Sequence, residues 1–155
     1  MTQQDLATRF RQLHRADAPL VLANAWDAMS ARLVEEAGAQ AIATTSAGIS
    51  WALGAPDGQG LSRTAMMTAV SIIVSAVRIP VSVDAESGYG TGSPEDAAET
   101  ARAVIATGAV GLNLEDAPGR DGAVLVTAEQ HAERIAAARA AAQSTGVDLF
   151  INART

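Results

Sequence analysis

The chain has 155 residues, 48% of them hydrophobic, which is one domain's worth of sequence with enough apolar surface for a core. Its formal net charge of −6 argues against nucleic-acid binding, which needs a basic face, and against docking on an anionic membrane. There is no Cys and all eleven basic residues are Arg, so disulfides, thiolate chemistry, Cys-held zinc, Schiff bases and a P-loop lysine are excluded within this chain.

Along the chain, Gln4 to Arg15 predicts an opening helix with Leu6, Phe10 and Leu13 on one face. Leu20-Val21-Leu22-Ala23-Asn24 reads as a buried strand after Pro19. Asp27 is placed to cap a helix that carries Met29, Leu33 and Val34 and stops at Gly38. Ala41 to Thr45 predicts a second strand, and Ser62 a cap for a helix through Met66, Val70, Ile73 and Val77. Ile79 to Asp84 is the third strand. Ser93-Pro94-Glu95-Asp96 is a helix start, with a capping serine, proline at the first helical position and a carboxylate at the third. That helix runs to about Gly108 and is followed by the strand Val110 to Leu114. Thr127 and Gln130 form a capping box that opens an Ala-rich helix ending near Gly146, before a last strand, Asp148 to Asn152. His14 and His131 fall on outer helices, where solvated side chains are expected.

Three junctions repeat one grammar: Gly38, Gly108 and Gly146 each end a helix and feed directly into a strand. Short units with strands apolar on both faces predict a parallel sheet covered by helices. A TIM barrel and a doubly wound, flavodoxin-like sheet both satisfy that pattern; the absence of GxGxxG after the first strand weakens the dinucleotide-binding version. A TIM barrel has eight strands in about 250 residues. Five predicted strands in 155 residues therefore predict one domain, residues 1–155, that is a (β/α) barrel truncated after its fifth strand or completed by another chain. Met1 to Asp5 lacks the positive region of a signal peptide, and no apolar run reaches the ~20 residues of a membrane span, so the expectation is a cytoplasmic protein.

In such an architecture chemistry gathers where strands end. The strand ends here carry Thr45 and Ser46, then Asp84 and Glu86, then Glu115 and Asp116, then Asn152 and Arg154, with Asp57 in a Gly/Pro-rich loop. Asp84 and Glu86 are two apart, so they share a face if the strand continues, and Glu115 ends the neighbouring strand. Three carboxylates without His or Cys suit a hard octahedral ion, Mg²⁺ or Mn²⁺. Asp84 is the expected direct ligand, with Glu86 and Glu115 acting through bound waters. Thr45-Ser46-Ala47-Gly48 reads either as a set of oxyanion donors or as an ordinary polar turn. Ser87 to Gly92, with three glycines, suits a close backbone approach or simply turns the chain, and Arg154 is placed to clamp a carboxylate.

Asn24-Ala25-Trp26-Asp27-Ala28, Thr44 to Gly48, Ala52 to Asp57, Asp84 to Gly90, Leu114-Glu115-Asp116 and Ile151 to Arg154 occur in that order. Together they resemble the isocitrate lyase/phosphoenolpyruvate mutase superfamily over nearly the whole chain. The resemblance implies an (α/β)₈ barrel, bound Mg²⁺ and an enolate-like intermediate formed from a small 2-oxo acid or dicarboxylate. Carried over by residue, Asp84 resembles the direct metal ligand, Glu86 the second acid (usually Asp) and Glu115 the third. Thr45, Ser46 and Ala47 resemble the substrate-binding segment, Asp57 an active-site acid near the metal, and Arg154 the carboxylate-binding arginine. The segment Ala117 to Gly122 lacks the Lys and Cys that the gating loop of the family's C–C lyases carries. That departure points away from isocitrate and methylisocitrate cleavage and weakens the mutase reading, leaving a decarboxylase-like or other C–C-cleaving branch as the expectation. Phosphorus–carbon chemistry of the mutase kind is one alternative. A half-barrel that only binds metal or a partner is the non-enzymatic one. A homo-oligomer is expected at full length.

Overall fold

The computed structural model describes residues 1–117 and 124–155. Its elements run α1 (Gln3–Leu13), β1 (Ala23–Ala25), α2 (Ala28–Glu36), β2 (Ile42–Thr44), α3 (Ser46–Ala52), α4 (Arg63–Ala76), β3 (Val81–Asp84), α5 (Pro94–Ala106), β4 (Gly111–Glu115), α6 (Ala128–Thr145) and β5 (Phe150–Arg154). The expected caps Asp27, Ser62, Ser93 and Thr127 are all N-caps, each side chain accepting from a backbone N–H three residues on. The three junction glycines have φ of 94°, 92° and 77° at Gly38, Gly108 and Gly146, the left-handed turn that lets a helix stop and a strand begin at once.

All five strands are parallel, in the order β1-β2-β3-β4-β5. Sequential order, with helical crossovers between strands, is the winding of a TIM-like barrel. A doubly wound sheet instead starts in the middle and reverses direction, so the flavodoxin-like alternative fails on strand order. The main core packs Ile42, Val81, Val83, Leu112 and Leu114 of the sheet against Met66, Val70 and Ile73 of α4, with Ala101 and Val104 of α5 and Ala138 of α6 alongside.

A second cluster lies at the amino ends of the strands, where Ala7 and Phe10 of α1 meet Ala41 and Val110, with Leu20, Leu22 and Phe150 against them. Gln3 Nε2 fastens the same helix by donating to the carbonyls of Ile105 and Ala109, at 2.8 and 2.9 Å. Helix α1 therefore covers one end of the sheet, and the opposite, carboxyl end is left for a site.

Three expectations change. Thr45 to Gly48 is not a turn: Thr45 caps the short helix α3, accepting from Gly48 N at 3.3 Å. Strand β1 begins three residues later than predicted and β5 two residues later, because hydrogen-bonded register, not apolarity, defines where the sheet starts. His131 is not solvated. It is 6% exposed, beside Arg134 at 1%. His14 is exposed as expected, although its ring stacks on Phe150 at 3.9 Å.

Candidate active site

A cavity of about 420 Å³ opens at the carboxyl ends of the strands. Its walls include Thr45, Ser46, Ala47, Asp57, Asp84, Glu86, Glu115 and Arg154, so the residues expected to bind metal or substrate face one space, whereas Asp116, Asn152 and the Ser87 to Gly92 loop are not among its lining. Asn24, Thr44, Gly58 and Asn113 line it as well. The sequence assigned none of these four a role, although Asn24 and Thr44 lie in the motifs that carry the resemblance. The one signal for Asn113 was a polar residue inside an apolar strand, in the apolar run Val110 to Leu114.

Asp84 is the best-anchored acid. Its side chain is 13% exposed, and its Oδ2 accepts from Ser46 Oγ at 2.8 Å and from Ser46 N at 3.3 Å. Its own N–H donates to Thr44 Oγ1 at 3.0 Å, tying the end of β3 to β2. Ser46 Oγ also stands 3.4 Å from Asp57 Oδ1, so one hydroxyl lies between two carboxylates. Arg154 Nη1 lies 2.8 Å from Glu115 Oε1 and 3.7 Å from Asp84 Oδ1, with half of its side chain exposed. The guanidinium therefore bridges the ends of β3 and β4 from β5.

Glu86 departs from the sequence expectation. Strand β3 stops at Asp84, and Glu86 takes a left-handed φ of 50°. The chain has turned, so Glu86 does not share the face of Asp84 as a continuing strand would require. The residue is 4% exposed, and its carboxylate accepts from the backbone N–H of Gln59 and from Tyr89 Oη, the latter at 3.3 Å. Glu86 thus fastens the loop that bears Asp57. These two partners of Glu86, also at positive φ, were given no role from the sequence, although Tyr89 lies in the glycine-rich loop noted there.

Burial raises the Glu86 carboxyl above its ordinary range; the Gln59 amide opposes this, and the charges of Asp57 and Asp84 add to it. Burial also raises Glu115, partly offset by Arg154 and reinforced by Asp84 and Asp57. The Tyr89 hydroxyl is pushed up by burial and by the neighbouring Glu86.

Among the described residues, no three His, Cys, Asp or Glu side chains stand close enough to hold an ion jointly. Asp84, Glu86 and Glu115 therefore do not form a direct three-carboxylate cage. The donor set still fits a hard cation: the lining offers carboxylate, hydroxyl and amide groups and no sulfur or imidazole. Mg²⁺ characteristically keeps several waters and takes one or two carboxylates, which suits Asp84 as direct ligand with the two glutamates reached through water. Pro118 to Ala123, most of the segment where the gating-loop motif is missing, lies outside the described residues.

A family model described as phosphoenolpyruvate phosphomutase matches residues 10–155. The chain is 34% identical over 158 residues to the chloroplastic carboxyvinyl-carboxyphosphonate phosphorylmutase of Arabidopsis thaliana, covering 97% of this chain and 45% of that protein. It is 32% identical over 160 residues to the 2-methylisocitrate lyase of Bacillus subtilis (strain 168), covering 99% and 51%. A crystal structure from Burkholderia cenocepacia J2315, provisionally named a phosphonomutase, superposes with a TM-score of 0.93 at 50% identity, covering 98% of this chain and 60% of that one. The chain spans about half the length of the curated relatives it matches.

Proposed function

The chain belongs to the isocitrate lyase/phosphoenolpyruvate mutase superfamily, and from that premise we propose that it supplies the Mg²⁺-binding part of an enzyme acting on a small 2-oxo acid or dicarboxylate. The observation that carries this reading is the meeting of Asp57, Asp84, Glu115 and Arg154 around one cavity, with Ser46 joining Asp84 to Asp57. Bound Mg²⁺, with Mn²⁺ as a substitute, would supply Lewis-acid stabilisation of negative charge on the substrate's oxygens.

The residues divide the remaining work. Asp84 would hold the cation, with Ser46 Oγ and N setting the carboxylate's orientation. Glu115 and Glu86 would orient cation-bound water. Arg154, already aimed at two carboxylates, is placed to exchange them for the carboxylate of a substrate, in a bidentate contact. Thr45, Ser46 and Ala47, at the start of α3, would line the substrate's oxygen side, with Asp57 the acid beside the Ser46 hydroxyl. The bond from the carbon next to the 2-oxo group to its substituent would break, its electron pair staying on that carbon as the enolate while the substituent leaves as CO₂ or a carbonyl compound, so the reaction read here is carbon–carbon cleavage or decarboxylation.

Phosphorus–carbon rearrangement of the phosphoenolpyruvate mutase type is the second reading, favoured by the description of the matching family model and by the Arabidopsis relative. Assays of the chain with Mg²⁺ on oxaloacetate and related 2-oxo diacids, beside phosphonopyruvate, separate the two. Turnover of a diacid that disappears in Asp84→Ala, with the fold retained, is the expected result. Turnover of phosphonopyruvate alone would favour the mutase. Unaltered turnover in the variant would remove Asp84 from the metal site. Absence of turnover of any kind by the chain, with metal binding intact, would support the non-enzymatic reading, a half-barrel that only binds metal or a partner.

A further inference from the structure

Arg134, the largest fully buried side chain of the described residues, is on the mid-turn of an outer helix and is 1% exposed. A buried guanidinium is costly unless its hydrogen bonds are directed. No carboxylate pairs with it among the described residues. Its Nη1 donates to the carbonyl of Glu115 at 2.9 Å and its Nη2 to the carbonyl of Ser87. Those two carbonyls belong to the residue that carries one site acid and to the residue following another. Nη1 also lies 3.3 Å from His131 Nδ1, which faces the guanidinium one helical turn earlier.

On the cavity side the strand ends bridged by Arg134 are also spanned by Arg154, through Glu115 and Asp84 side chains, whereas their backbones share few bonds. Beyond the last ladder pair, Asp84 with Asn113, they are linked by Ala85 N to Asn113 O at 3.3 Å and Glu115 N to Glu86 O at 2.8 Å. The chain then turns through Gly88, at φ 87°, where a Cβ would lie 2.9 Å from Leu114 Cδ1 and 3.5 Å from Arg134 Nη2. Arg134 thus sits against this turn and ties it, through the Ser87 carbonyl, to the end of β4 at Glu115.

We propose that Arg134 is a positioning residue for the acid site: by holding the Ser87 and Glu115 carbonyls together it sets the spacing of the Glu86 and Glu115 carboxylates. It touches neither substrate nor metal and acts through the backbone. The link to metal rests on the proposed function, whereas the positioning itself does not. Loss of a group bonded directly to a metal ligand typically weakens metal binding by about 10–100-fold, and a residue acting through the backbone belongs at the low end of that range.

The test uses the full chain as wild type, Arg134→Met and Arg134→Lys, with amide hydrogen exchange and Mg²⁺ titration calorimetry on each. Arg134→Met keeps bulk without donors; Arg134→Lys keeps charge and can reach one carbonyl. The expected result is faster exchange at the Gly88 and Glu115 amides in Arg134→Met, unchanged exchange in α2 and α4, and Mg²⁺ binding about tenfold weaker. Arg134→Lys should fall between. Unchanged exchange at those two amides would overturn the proposal, and so would uniform acceleration across the chain in both variants, which marks a merely structural residue. Local loosening with unchanged Mg²⁺ affinity would overturn the link between spacing and metal. If the wild type binds no Mg²⁺, the proposed function falls, and the exchange pattern still decides whether Arg134 positions the turn.

Discussion

Ser46 and Asp84 are joined twice: the Ser46 hydroxyl and the Ser46 backbone N–H both donate to Asp84 Oδ2, at 2.8 and 3.3 Å. The two residues lie on different βα units, so this double contact aligns the start of α3 with the end of β3. Ser46→Ala removes the hydroxyl and leaves the amide. A charge-assisted hydrogen bond contributes about 1.5–3 kcal/mol, and the low end applies where the retained amide still serves the carboxylate. Urea unfolding should show a loss of about 1–2 kcal/mol with an unchanged m-value. Mg²⁺ affinity should drop with it.

The raised Glu86 and Glu115 carboxyls give the metal-free protein a definite pH response. Burial is the leading cause for both. In the folded state each holds its proton more tightly than in the unfolded chain, so stability from these groups grows as pH falls from the raised folded pKa. It is complete below the ordinary value of 4.5. Glu86→Gln, neutral throughout, should flatten that part of the Tm–pH curve. Mg²⁺ should reverse the trend, because its ligands must be ionised, so its affinity should rise with pH over the same window. Calorimetric titrations at several pH values check both.

His131 predicts the opposite slope. Burial, and then the charge of Arg134, hold its folded pKa below the ordinary value of 6.5. Its contribution is therefore present above pH 6.5 and is lost as pH falls toward the depressed folded value. His131→Gln should keep the side chain neutral and reduce the loss of stability on acidification below 6.5 relative to wild type. Thermal unfolding across that range measures it.

Helix α1 sits so close under the sheet that a Cβ at Gly111 would lie 2.8 Å from both Phe10 Cε1 and Ser82 Oγ. Gly111→Ala overpacks this contact and should cost about 1–3 kcal/mol. Gly38→Ala is a contrasting probe, since a Cβ there meets nothing and any cost comes from its φ of 94° alone. Chemical denaturation of both variants separates crowding from backbone strain.

The parts of the fold legible in the sequence were those governed by local chemistry. Asp27, Ser62, Ser93 and Thr127 were readable as caps because a capping side chain bonds an amide three residues away. The strand ends were readable as a site because polar residues interrupt apolar runs there, and the expected metal- and substrate-binding residues face the cavity, although Asp116 and Asn152 do not line it. Helix α3 was hidden by Gly48, whose small size serves the approach of Trp26: a Cβ would lie 2.9 Å from Trp26 Cβ. The turning of Glu86 depends on a left-handed residue and on partners 27 residues upstream and 3 residues downstream, which periodicity does not encode. Arg134 and His131 were hidden because α6 is rich in alanine, which marks neither a buried nor a solvated face.

The most direct test of the metal assignment is the melting temperature of the chain with and without Mg²⁺ and oxalate, an enolpyruvate mimic, alongside Asp84→Ala. Ligands at a hundred times Kd add about 2.7 kcal/mol to a folded state that alone binds them. The expected result is a cooperative transition that rises with Mg²⁺, rises again with oxalate, and does neither in Asp84→Ala. A wild-type transition indifferent to Mg²⁺, or an equal rise in the variant, would contradict the assignment of Asp84 and the proposed chemistry with it.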